Sequence, residues 1–259
     1  EEEPTGKFQH LDVQVLPPEV DPKDLWRIEA GIQLSRDKRL DYGPINDLLK
    51  IREGLTAGLS RDEIAATLYG SGGPEEIREP DARLRLIDSY LDYIKAPEQY
   101  TVVKQRIEHF INLQNFLHWL DKKNNVVPKE RLKWLLIAFE MLRTEEFGHM
   151  DIRKLREIYG NDEARDHLQT QVRPQPEKTL SEDQRTAIKE QFETAVDHVA
   201  IAKDSQQPDK LLSRAERALK ALLKFKEKVA GDKALHKRVA ILKKAATELE
   251  KACSGRRAR

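Results

Sequence analysis

The chain has 259 residues, with 46 Lys or Arg against 45 Asp or Glu, a net charge of +1, 39% apolar residues and only 6% aromatic ones. This length suffices for two or three small cored domains, and so much charge with so few rings favours long, water-bathed helices over a compact sheet protein. A single cysteine, Cys253, excludes a disulfide framework and a thiolate zinc cluster, no apolar run reaches membrane-spanning length, and the opening EEEPTGK is not a basic-then-apolar leader.

These bounds lead us to expect a soluble, cytoplasmic, all-α protein with three helical blocks. Residues 1–21 precede them, and within that stretch FQHLDVQVL (8–16) alternates like one strand, the alternative being an acidic leader. The first block spans residues 22–98. Asp24 to Ile28 starts a helix after Asp21-Pro22, with Pro at an early position where its missing N–H does no harm. From Glu29 the pattern reads as a short extended lead-in followed by two helices joined at Gly58. Pro44 to Thr56 presents Ile45, Leu48, Leu49 and Leu55 as an apolar stripe, with Lys50 and Arg52 as basic residues on the same helix. The helix at 60–69 opens with Ser60-Arg61-Asp62-Glu63, a capping box in which hydroxyl and carboxylate satisfy backbone N–H groups that a helix start leaves unpaired. After the linker Gly70 to Pro74, Pro80 is expected to interrupt the next segment, leaving a helix over Asp81–Ile94 with Leu84, Ile87, Leu91 and Ile94 on one face.

Three motifs in this block, taken in order, resemble the ParB and KorB-type partition protein family, over roughly residues 11–95. Gly31-Ile32-Gln33 stands where that family has its Glu-Asn-Ile-Gln-Arg box, and Tyr42-Gly43-Pro44-Ile45-Asn46 stands where it has a Pro-Ile-Glu-Glu helix start. Leu59 to Ala65 matches its Ser/Thr-x-x-Glu/Gln-aliphatic-Ala helix. The resemblance implies a helix-turn-helix that engages duplex DNA, preceded in the family by a nucleotide-binding domain of which residues 8–16 would be the last strand. It also shows departures: Ala30, Gly31 and Leu34 replace the polar members of the box that help hold nucleotide and magnesium, and the Gly-x-x-Arg and Glu-Arg-Arg phosphate segments are missing. No cofactor is therefore expected in this chain.

The middle block, 99–172, is a run of helices over 106–120, 129–142 and 151–159, with Phe110, Phe116, Trp119, Trp134 and Phe139 read as core. His109, His118, His149 and His167 stand in no His-x-x-x-His or Glu-x-x-His pair, so packing or surface roles are expected and no metal. Glu108-His109 and Glu140 have no nucleophile or phosphate loop nearby, so no catalysis is assigned. Residues 173–180, with Pro174 and Pro176, form a linker.

The last block, 181–259, opens with a second capping box, Ser181 to Gln184, and contains three helices. They repeat Ile188, Phe192, Ala195, Val199, Ala202, then Leu212, Ala215, Leu219, Leu222, Val229, then Leu235, Val239, Leu242, Ala246, Leu249, Cys253. Such narrow seams belong to a three-helix bundle or a coiled coil, closed within one chain or shared with a second copy.

Charge is unevenly distributed. Residues 61–100 carry five basic residues against nine acidic ones, whereas residues 203–259 carry 17 against seven. Because displaced counterions supply most of the affinity for phosphates, the C-terminal block is the better nucleic-acid surface. The DNA-binding candidates are Lys50, Arg52, Arg61, Arg78, Arg83 and Arg85 from the first block, and Lys237, Arg238, Lys244, Arg256 and Arg257 from the last. Two functions fit: a nucleoid-associated, ParB-like protein on duplex DNA, dimeric through its last block, or a helical protein-interaction scaffold within a mobile-element, phage-defence or DNA-processing complex. Neither calls for a membrane.

Overall fold

The computed structural model describes residues 15–34, 43–70, 73–123, 126–176, 179–204 and 208–254. Among them are twelve α-helices, one 3-10 turn at Tyr100–Val103 and no strand, so the fold is all-α. No helix among the described residues is long and apolar enough to cross a membrane. Residues 8–14 of the expected strand lie outside the described residues, and Val15 and Leu16 belong to no regular element.

The chain divides into two compact units, Glu1–Val196 and Asp197–Arg259. The first unit holds α1 (Pro22–Leu34), α2 (Pro44–Thr56), α3 (Arg61–Tyr69), α4 (Glu75–Tyr93), α5 (Ile107–Asp121), α6 (Pro128–Thr144), α7 (His149–Tyr159) and α8 (Asp162–Gln171). The boundary falls inside α9 (Glu182–Asp204), and the second unit continues with α10 (Pro208–Leu223), α11 (Lys226–Gly231) and α12 (Lys233–Ser254). The first two blocks read from the sequence are therefore one unit here, joined through α4, which packs on α2 and α3 and also on α5.

Two expectations for the first block are corrected. Glu29–Leu34 is helical rather than extended, because Trp26 and Ala30 lie one turn apart on α1 and both are buried against α2 and α3. Pro80 does not interrupt α4, which runs unbroken from Glu75. Proline removes the bond its own N–H would have made and crowds the carbonyl four residues back, at Glu76 in the first turn of the helix. Burial of Ile77 before it and Leu84 after it, both fully enclosed, holds the two sides in one helix.

The core around the helix-turn-helix consists of Trp26, Ala30, Ile51, Leu59, Ile64, Ala65 and Ile77. The Trp26 indole N–H donates to the Lys50 carbonyl at 2.9 Å, so the largest ring in this cluster is also satisfied as a donor. Farther along, Tyr90, Phe110 and Phe139 meet edge to face, as do Phe116, Trp134 and Tyr159, which bears out the reading of these rings as core. Beneath them Glu140 is 1% exposed and accepts from the Tyr93 hydroxyl and from the Gln175 N–H at 2.7 Å, with the Arg143 guanidinium at 2.9 Å. Burial, and then the bond to Glu140, raise the Tyr93 phenol above its ordinary range. The carboxylate thus fastens the segment after α8 to α6, a structural role.

Gly54 lies in the last turn of α2, at a helical position where alanine is ordinarily better by up to about 1 kcal/mol. A Cβ there would stand 2.9 Å from Trp26 Cε2 and 3.0 Å from Ile64 Cδ1, and the indole ring cannot rotate away from a packed core. Overpacking of this kind costs about 1–3 kcal/mol, so G54A is expected to lower the midpoint of thermal unfolding followed by circular dichroism. A raised midpoint would show that the contact relaxes freely.

Candidate nucleic-acid interface

Helix α2 begins with Pro44 at its first position and ends at Thr56. Four residues, Ala57–Ser60, connect it to α3, with Gly58 at φ 87° supplying a left-handed turn that side-chain-bearing residues adopt only at a cost. Ser60 caps α3: its Oγ accepts from the Glu63 N–H at 3.2 Å, and Glu63 Oε2 accepts from the Ser60 N–H at 2.8 Å. The Ser60 N–H, and then the Ser60 hydroxyl donating to the same carboxylate oxygen at 2.9 Å, hold the Glu63 carboxyl below its ordinary value of 4.5. Two helices joined by a four-residue turn are therefore present at 44–69, and α4 follows after Gly70–Pro74.

The six DNA-binding candidates of this block are each engaged by carboxylates or amides of the same unit. Lys50, with 7% of its side chain exposed, donates to Glu29 at 2.7 Å and Glu53 at 2.9 Å. Burial alone would lower its pKa, but the two carboxylates outweigh it and the ammonium is held above its ordinary 10.5. Arg52 reaches from α2 to Asp88 on α4 and donates to the Tyr100 hydroxyl at 2.9 Å. Arg83 lies half-buried between α4 and α5, donating from Nε to Gln114 at 3.1 Å. Burial lowers its pKa, partly countered by Glu79.

The other three are more open. Asp81, largely buried on α4, accepts from Arg85 at 2.8 Å and sits 3.3 Å from Arg61 of α3. Arg78 pairs with Glu75 at 3.1 Å. The side chains of Arg78 and Glu75 are 69% and 75% exposed, and exposed ion pairs contribute only about 0–1 kcal/mol, so Arg78 can exchange carboxylate for phosphate at small cost, whereas the exposed Arg85 holds a partner whose side chain is only 10% exposed.

The second unit is different. Arg214 pairs with Asp197, and Lys220 with Glu216 at 2.6 Å. Among the described residues, Lys233, Lys237, Arg238, Lys244 and Lys251 of α12 are exposed and have no carboxylate partner. At about 100° per residue, Lys233, Lys237, Lys244 and Lys251 fall within about 40° of one another, about 120–160° round the helix from Val239. They form one stripe, stepping about 6, 10.5 and 10.5 Å along the axis. Arg238 lies to one side of it. Arg256 and Arg257 lie outside the described residues.

Lys237 and Lys244 are among the candidates expected from sequence and Lys251 is not, although the spacing of 4, 7 and 7 residues marks it. A cationic and aromatic cluster on the first unit is likewise outside those candidates: Lys123 Nζ lies 4.4 Å and Arg156 Cζ 5.0 Å from the centre of the Trp119 ring. The step from Trp119 to Lys123 is legible as i to i+4; the contribution of Arg156 from α7 is not. Among the described residues no group of His, Cys, Asp or Glu is placed to hold a metal ion. His109 instead bonds the Phe147 carbonyl at 2.9 Å and meets the His149 ring edge-on.

No family model, no curated protein and no solved structure matches this chain.

The ordinary lysine pKa is 10.5, and a group raised above its unfolded value contributes stability that is full below that pH and is lost as pH rises through the folded value. Replacing Lys50 by Met removes two charge-assisted hydrogen bonds and leaves Glu29 and Glu53 exposed enough to rehydrate, for a loss of about 1–3 kcal/mol. The difference in urea midpoint between wild type and K50M is expected to be constant at neutral pH and to shrink above about pH 10.5. A difference independent of alkaline pH would assign the loss to packing alone.

Proposed function

We propose that this chain is a duplex-DNA-binding protein of ParB-like kind, in which the lysine stripe of α12 makes the main phosphate contacts. Arg61, Arg78 and Arg85 at the helix-turn-helix add weaker ones, while Lys50, Arg52 and Arg83 serve the internal packing of that block. The supporting observation is the contrast in partners: among the described residues no carboxylate pairs with a stripe cation, and phosphate would supply that counter-ion. The motif order at 31–65 supports duplex DNA over a single strand, because a helix-turn-helix fits the major groove. No cofactor enters this reading.

A second reading is supported by the first unit alone. Its helix-turn-helix cations are largely neutralised from within and residues 61–100 carry an acidic excess, so the block suits a scaffold that binds protein and touches DNA little.

Random-sequence duplex DNA separates the two. With about four phosphates neutralised by the stripe, affinity is expected to fall about a hundredfold between roughly 50 and 200 mM salt. K237Q/K244Q is expected to cut the log–log salt slope by about 1.8, and R78Q/R85Q by less. No binding at low salt, or a slope unaltered by K237Q/K244Q, would favour the scaffold.

A further inference from the structure

The second unit encloses little of its own apolar surface. Among its described residues Val199 is the one buried hydrophobic side chain, and α10 buries none. Leu219 and Leu222 of α10, with Val239 and Leu242 of α12, instead line an open groove of about 430 Å³ that α11 closes at one side. The lining of α12 extends from His236 to Ala246, about 15 Å at 1.5 Å per residue. A docked helix spaces its anchors at i, i+3 or i+4, and i+7, about 10.5 Å in all, so the groove is long enough for one such face.

The ionisable residues in the lining are Lys226, Lys243 and His236, with no carboxylate. Residues 208–254 as a whole carry 13 Lys or Arg against six Asp or Glu. A second copy docked here would bring the same positive rim against itself, which like-charge repulsion opposes. A helix with Leu-type anchors and carboxylates beside them satisfies both the apolar floor and the rim. The groove faces away from the Lys233–Lys251 stripe on the same helix, so the two surfaces can be occupied independently.

We infer that the groove between α10, α11 and α12 is a docking site for an acidic amphipathic helix of a partner protein, held by Leu219, Leu222, Val239 and Leu242 and oriented by Lys226 and Lys243. The test uses the full chain and two labelled 18-residue helical peptides that share Leu anchors and differ only in carrying Glu or Lys beside them. Anisotropy is expected to show the Glu peptide binding at least tenfold tighter than the Lys peptide. K226E/K243E, exposed changes that leave the apolar floor intact, is expected to invert that preference, and L222D/L242D to abolish binding of both with the helical circular dichroism signal retained. Equal affinity for the two peptides, no binding of either, or a preference that K226E/K243E leaves unchanged would overturn the inference. So would concentration-dependent dimerisation in sedimentation that L222D removes, which makes a second copy the occupant. Tighter adsorption to phosphatidylserine vesicles than to the Glu peptide would overturn it in favour of a membrane surface. DNA affinity is read in parallel, since loss of the stripe's binding leaves the peptide result untouched.

Discussion

Helix α4 has to satisfy two sets of neighbours at once, α2 and α3 on one side and α5 on the other, and the rest of the N-terminal unit is arranged around that demand. Its enclosed side chains, Ile77, Leu84, Ile87, Tyr90 and Leu91, run almost its full length. Two-sided burial leaves little of the helix for solvent, so its charges are settled locally: Asp81 between Arg61 and Arg85, Asp88 against Arg52, Arg83 against Gln114. A helix in that position braces the elements on either side of it.

The two units differ in composition. In the first, Asp and Glu outnumber Lys and Arg, 37 to 29, and several pairs meet across elements. In the second, basic residues outnumber acidic ones about two to one over 208–254. The same unit leaves its leucine seam uncovered, so α12 presents an apolar face on one side and a cationic one on the other.

Legibility in the sequence follows the range of the interaction. Helix starts set by neighbouring residues were readable: Pro44 opening α2, Ser60 with Glu63 capping α3, and Ser181 with Gln184, whose reciprocal bonds open α9. Features decided across the fold were not. Pro80 reads as a breaker until the burial of Ile77 is known, and Glu29–Leu34 reads as extended until Trp26 and Ala30 have a surface to cover. Helix α8 was missed because only Ala164 and Leu168 of its ten residues are buried, although the Asn161 cap was there to be seen. Among the candidate DNA contacts the residue types were visible, and so was Glu53 three residues from Lys50, but Glu29, Asp88 and Gln114 stand 21, 36 and 31 positions from Lys50, Arg52 and Arg83, beyond any local pattern.

The missing Cβ at Gly54 ties two distant positions into one unit of inheritance. The Trp26 ring occupies the room a side chain at 54 would need, so a bulkier residue at 54 requires a smaller ring at 26, and a smaller ring forfeits the bond to the Lys50 carbonyl as well. Among descendants of this chain, a side chain at 54 should be found only beside a smaller residue at 26, which gives its lineage an ordered mark that outlasts change on the helix surfaces.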